Sequence, residues 1–486
     1  MPLDVTTYRE QLEQMTADVL EEQYQHMAGH KPTLDVSPIY ERYAELGTLE
    51  QARAMAGGAF PTELYRHSCE TYVAGGLKDL TEQVANAEAT LTVRFDGEDV
   101  PYRAVRSRLM NEPDRSRRLD LHRRRCEVTE RDLNPLLREA AERERELVRD
   151  LDATTVLELY QRFGYDPGTL HVATSAFLAD TEDLYRERMD EELRRRVGVS
   201  LDEATPADTN RMLRAPEFDP GFATERAVPA LRATLAELGI ELDAQRNVVL
   251  DVDERPGKVP RAFCAPVRVP GRVVLVILPH GGQDDYRALF HEAGHTEHFA
   301  CTNAELPAED RLLGDNAVTE GFAFLFEHLT SSREWLRSRL DFGPIEDFVR
   351  FQALMKLFII RRYAAKLAYE LELNGGGSLD AMGGRYAQLL GDATGIAYPV
   401  ADHLEDVDGG FYCTCYLRAW AFEAQLEDHL RDRFGVDWFR RRQAGSLLRE
   451  LWELGQSVDA DALLRDVTGQ TLSFGVLADE AHAALA

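Results

Sequence analysis

The sequence predicts a mainly helical fold with a small β-sheet beside one functionally loaded helix. Three observations predict it. Most of the chain repeats its apolar residues at helical spacing, whereas the stretch from about Asn247 is rich in Val, Ile and Phe and is broken by Pro-Gly pairs. Directly after that stretch stands His291-Glu-x-x-His295, at the heart of ALFHEAGHTEHFACTN.

The first half reads as helices. In ERDLNPLLREAAERERELVRDLD, from Glu130 to Asp152, Leu133, Leu136, Leu137, Ala140, Ala141, Leu147, Val148 and Leu151 recur on one face, with Arg and Glu on the other. ATLTVRFDGEDVPYRAV is the exception. Its alternation around Phe-Asp-Gly predicts either a hairpin or an extended entry into the next helix. NVVLDVDERPGKVPRAFCAPVRVPGRVVLVILP then predicts several strands, with turns at Pro256-Gly257 and Pro270-Gly271. Within it, GRVVLVILP is expected to be an edge strand that an extended peptide can join by main-chain hydrogen bonds. Helices follow to the end. LNGGGSLD lacks the Lys-Ser/Thr ending of a phosphate loop and is expected to be an interhelical turn. The change of texture divides the chain into an N-terminal helical region, 1–245, and a region carrying the chemistry, 246–486.

Composition narrows the partners. With 56 basic and 85 acidic side chains the formal charge is -29, which repels nucleic acid and anionic membrane surfaces. Only five lysines stand beside fifty-one arginines, and the plain reading is a solvated acidic surface. The N-terminus shows no cationic stretch followed by an apolar one, and no apolar run approaches about 20 residues, the length of a membrane span. Cys69, Cys126, Cys264, Cys301, Cys413 and Cys415 lack the spacing of a disulfide scaffold, so the expectation is a cytoplasmic protein with reduced thiols.

The chemistry concentrates at the histidines. Residues four apart lie one turn above each other, so His291 and His295 can aim imidazole nitrogens at one ion. Glu292 projects beside that ion, where a carboxylate can take a proton from a zinc-bound water. Glu320, 29 residues after His291 in DNAVTEGFAFLFEHLTSS, supplies a third ligand at the start of a second helix. His, His and Glu leave a position for water, as a catalytic zinc requires. Glu327, two turns further on, is placed to accept the other N–H of a ligand histidine. His298 is read as packing or support, because a fourth protein ligand would close the site. Cys413 and Cys415, with no second Cys/His pair nearby, are read as core residues.

The run GKVPRAFCAPVRVPGRVVLVILPHGGQDDYRALFHEAGHTEHF resembles the core of the thimet oligopeptidase and oligoendopeptidase F family of zinc peptidases. Gly257, Lys258, Phe263, Cys264, Gly282, Asp285, Gly294 and His298 fall in matching places, and Glu320 and Glu327 follow at the family's intervals. RFDGEDVPYRAVRSRLMNEPDRSRRLDLHRRR resembles its N-terminal helical region. The resemblance implies a two-lobed helical metallopeptidase with a deep central channel, one zinc ion per chain, and hydrolysis of short peptides with Glu292 as general base. It also implies a histidine and a tyrosine that close over substrate. In HLEDVDGGFYCTCYLRAW these match His403, Gly409, Gly410, Tyr412 and Tyr416. Phe411 stands where tyrosine is common, so the oxyanion donor is Tyr412, with His403, or else Tyr416. The alternatives are a peptidyl-dipeptidase or carboxypeptidase on a related fold and a non-catalytic peptide-binding zinc protein. The chain is expected to be a monomer or homodimer.

Overall fold

The computed structural model describes residues 2–58 and 60–486. Among the described residues the fold is mainly helical, with five strands: β1 (Thr92–Phe95), β2 (Glu98–Pro101), β3 (Val248–Asp251), β4 (Phe263–Arg268) and β5 (Arg272–Val276). Two compact units divide the chain. One comprises Met1–Ser68, Pro216–Gln352 and Cys415–Leu477; the other comprises Cys69–Ala215, Ala353–Thr414 and Ala478–Ala486.

The first unit contains the three-stranded sheet, in the order β3-β5-β4, with β3 parallel and β4 antiparallel to β5. This corrects one expectation. The strand within GRVVLVILP is β5, and it lies in the middle of the sheet rather than at its edge. Val273, Val274, Leu275 and Val276 are all wholly buried, the near-continuous apolar run of a strand covered on both faces. β4 is an outer strand instead, and its Pro266 has no N–H to give. A bulge interrupts its pairing between Ala265 and Arg268.

Two helices cover this sheet. The helix Val5–Met27 and the residue after it bring Leu20, Tyr24 and Ala28 against Ala265, Val267, Val274 and Val276. The motif helix, Gln283–Cys301, packs on β4 and β5. The loop before β4 is fastened from inside. Lys258 Nζ, fully buried, lies 3.0 Å from Asp251 Oδ1 and donates to the carbonyls of Asp251 and Asp253, each at 2.9 Å. Gly257 precedes it at φ +81°, a left-handed turn that favours glycine.

The second unit contains the β1–β2 hairpin, settling the choice left open by the sequence. Asp96 and Gly97 form its two-residue loop at φ +51° and +84°, the geometry that matches the twist of paired strands. Val93, Phe95 and Val100 point into a core shared with Leu121 and Leu133. The long amphipathic segment is the helix Asn134–Asp150, preceded by a wider helical turn at Thr129–Leu133. LNGGGSLD is the expected turn, between the helices Ile345–Asn374 and Leu379–Thr394.

Candidate metal centre

Two helices of the first unit build the centre. The motif helix starts after Gly281 and Gly282, both at positive φ; Asp285 in its first turn accepts the Gly281 N–H at 2.7 Å and steadies the entry. The second helix, Asn316–Leu329, starts at Asp315, whose carboxylate accepts the Ala317 N–H at 3.0 Å. The helices meet at Gly294, between the two histidines. A Cβ there would stand 2.5 Å from the Phe322 carbonyl oxygen and 2.6 Å from Ala323 Cα, both backbone atoms that cannot swing aside. Only glycine permits this approach, and the approach carries Glu320 to the histidines.

The ligand atoms converge as the spacing predicts. His291 Nε2 lies 3.5 Å and His295 Nε2 3.7 Å from Glu320 Oε2, and the three ligand atoms are all within 4.8 Å of one another. Ligands of a tetrahedral zinc ion stand about 3.3 Å apart, so the set fits such an ion with a small inward adjustment. Each imidazole is oriented through its other nitrogen. His291 Nδ1–H donates to Glu327 Oε2 at 2.9 Å, and His295 Nδ1 lies 2.8 Å from Thr319 Oγ1. Both Nε2 atoms are thereby left to face Glu320. Glu327 is in turn gripped by Arg287, whose Nη2 is 2.6 Å from Oε1. Among the described residues, His291, His295 and Glu320 are the one group of three or more His, Cys, Asp or Glu side chains that can hold an ion.

The charges are arranged around a cation. Burial opposes a charge on His291, yet its bonds to Glu320 and Glu327 outweigh this and push its pKa up to about 10. Burial pulls His295 down to about 4, with Glu320 opposing. Glu327 is also buried, but Arg287 and His291 hold its carboxyl well below the usual range. A metal ion takes the Nε2 lone pair, so each histidine can serve as a ligand only with Nε2 unprotonated. Glu292 is aimed differently. Its Oε2 accepts the N–H of Cys264 on β4 at 2.9 Å, and burial raises its pKa.

The remaining predicted residues divide. His298 is fully buried with Nε2 3.1 Å from the Gly455 carbonyl, so it ties the motif helix to its surroundings and is no ligand. Tyr416 lies in the first unit. Its ring centroid is 6.1 Å from that of Phe324, which is itself 5.2 Å from the His291 ring. His403 and Tyr412 lie in the second unit. His403 Nδ1–H donates to the Val400 carbonyl at 2.9 Å, leaving Nε2 as an acceptor. Tyr412 opens the helix Tyr412–Phe434, directly after the Gly409–Phe411 turn. Cys413 and Cys415 are buried and free.

Thr319 and Arg287 escaped the sequence reading. Arg287 carried a usable signal, one helical turn before His291; Thr319 carried only its place beside Glu320. No family model matches the chain, and no curated protein matches it, so the resemblance rests on the quoted residues themselves.

Proposed function

We propose that the chain is a zinc-dependent metallopeptidase of the oligoendopeptidase type, hydrolysing short oligopeptides in the cytoplasm. The observation that supports this most is the convergence of His291, His295 and Glu320, with Glu292 next in the chain to His291 and within electrostatic reach of His291 and Glu320. A structural zinc site takes four protein ligands; three leave room for water, and an acid next to the first ligand can act as the base for it.

His291, His295 and Glu320 would hold a zinc ion, which would supply Lewis acidity toward the scissile carbonyl and the attacking water. Glu292 takes the proton from that water and passes it to the leaving amine. Burial raises its proton affinity toward the range in which one group can do both. Glu327 and Thr319 hold the two imidazoles in register. Tyr412, with His403, is the assigned donor to the oxyanion; Tyr416 is the alternative, and its place beside Phe324 is a reason to test both.

With this reading go residues 246–486 as the catalytic region, residues 1–245 as the N-terminal helical region, and two lobes around a deep channel that admits short unfolded peptides. The protein acts as a monomer or homodimer. The test is incubation with a mixed peptide library, with mass spectrometry of the products, beside Glu292→Gln. Internal fragments from the parent and none from the variant are expected. Dipeptides or single residues released from C-termini would make the chain a peptidyl-dipeptidase or carboxypeptidase. Peptide binding without cleavage would make it a non-catalytic zinc protein.

A further inference from the structure

The segment 403–413 is held by one face of the helix Ile345–Asn374, through residues spaced at helical intervals. Tyr369 donates to the His403 carbonyl at 2.7 Å. Arg362 pairs with Asp406, which also accepts from Tyr386 at 2.6 Å. Lys366 Nζ lies 2.9 Å from Asp408 and 3.5 Å from Asp406. Glu370, wholly buried, comes last: Oε1 accepts the Asp408 N–H at 2.9 Å, and Oε2 lies 3.1 Å from Cys413 Sγ. The two bonds of this one carboxyl bracket the residues between Asp408 and Cys413.

Those residues form a turn that needs holding. Gly410 sits at φ +69°, and a Cβ there would be 2.8 Å from the Tyr160 hydroxyl. Phe411 follows at φ +55°, a conformation disfavoured for any side chain, and is wholly buried with its ring 5.6 Å from that of Tyr160. Tyr412 comes next.

We propose that Glu370 is a positioning residue: in its neutral form it clamps the Gly409–Phe411 turn and so fixes Tyr412, and on losing its proton it lets the turn go. This rests on the reading of Tyr412 given above. Charge balance carries the argument. Lys366 and Tyr369 face Glu370 from its own helix, and Asp408, Cys413 and Asp406 face it from the segment. Two cations, Arg362 and Lys366, are matched by two carboxylates, Asp406 and Asp408. Glu370 is the fifth group, without a cation of its own, so a charge there is buried and uncompensated. Its two oxygens accept the Asp408 N–H and the Cys413 S–H, bonds that alone favour its charge, so it is burial that opposes ionisation here. Burial accordingly lifts its pKa to about 8. The sign follows: the folded value is raised, so the hold is complete at acid pH, weakens as pH rises above the ordinary carboxyl range, and is spent once pH passes about 8.

The test is alkylation of Cys413 with iodoacetamide in the full chain, followed by peptide mass mapping, across pH. Between about pH 6 and about pH 8 each pH unit should speed labelling about a hundredfold in the parent, ten from thiolate formation and ten from release of the turn. In Glu370→Gln, whose amide oxygen can still accept the Asp408 N–H, whose amide N–H can meet the Cys413 sulfur and which cannot ionise, the factor should be about tenfold. Glu370→Ala should lower kcat about tenfold with KM and zinc content little moved, and Glu370→Gln should restore it. Equal pH slopes in the parent and Glu370→Gln overturn the clamp. Unequal slopes with parental turnover in Glu370→Ala overturn the positioning role. Unequal slopes in a parent that cleaves no peptide remove the peptidase reading and the positioning role with it, while the labelling still identifies the clamp.

Discussion

Glu327 and Glu370 are both buried carboxyls that accept hydrogen bonds on both oxygens, yet their surroundings push their charge in opposite directions. Glu327 faces Arg287 and His291 and is held ionised far below the usual carboxyl range; Glu370 faces a cation already claimed by two aspartates and is pushed up to about 8. Burial alone therefore does not decide the state of a carboxyl. The count of cations it meets does. The metal side is locked by charge and needs its acid ionised, whereas the Gly-rich turn is held by neutral bonds that a change of pH can loosen.

Substitutions can break or sharpen that contrast. The largest effect is expected from Glu292→Gln, which should cut hydrolysis by ~10² to 10⁴ while metal analysis still finds one zinc per chain. A variant that also lost its zinc would place Glu292 among the supports of the metal, erasing the separation of base from ligands. Next comes Tyr412→Phe, expected to lower kcat by about 10² to 10³ with KM and zinc content held, since a donor aimed at the oxyanion acts only near the transition state. Steady-state kinetics must include Tyr416→Phe: an effect there and none at Tyr412 would move the donor from the turn to the first unit.

Arg287→Met strips Glu327 of its cation and makes it resemble Glu370. Zinc affinity, measured by chelator competition, should fall toward the hundredfold end of the roughly 10- to 100-fold range typical for lost supports of metal ligands. An unchanged affinity would show that His291 alone keeps Glu327 ionised. Thr319→Val should give the smallest effect, about tenfold in the same assay, because it removes a neutral hydroxyl rather than a charge. If it matched Arg287→Met, charge would not be what distinguishes the two imidazole supports.

The legible part of this molecule was what a single helix can write in sequence. The interval from His291 to His295 and the seven residues from Glu320 to Glu327 each describe one face of one helix, so their partners could be named without coordinates. The Asp96-Gly97 turn was legible as a local signal, though a hairpin and an extended entry share it. What stayed hidden depends on how elements meet. Thr319 supports His295 only because two helices cross at one height, set by Gly294. β5 reads as a strand from its Val and Leu content, but middle or edge is settled by what lies on either side. Glu370 is separated from Cys413 by 43 positions and shares no motif with it.

The outer strand β4 has one further consequence, for how the protein behaves in concentrated solution. Unpaired amides along a sheet margin are templates on which other chains assemble into aggregates. β4 offers few of them: Pro266 has no amide hydrogen, the bulge bends the margin, and the Cys264 amide is occupied by Glu292. Glu292 therefore shields the margin as well as standing beside the metal. Removing its side chain altogether exposes an amide that Gln can still cover, so a Glu292→Ala preparation is expected to clump where Glu292→Gln stays dispersed, and light scattering on the two distinguishes colloidal failure from chemical failure.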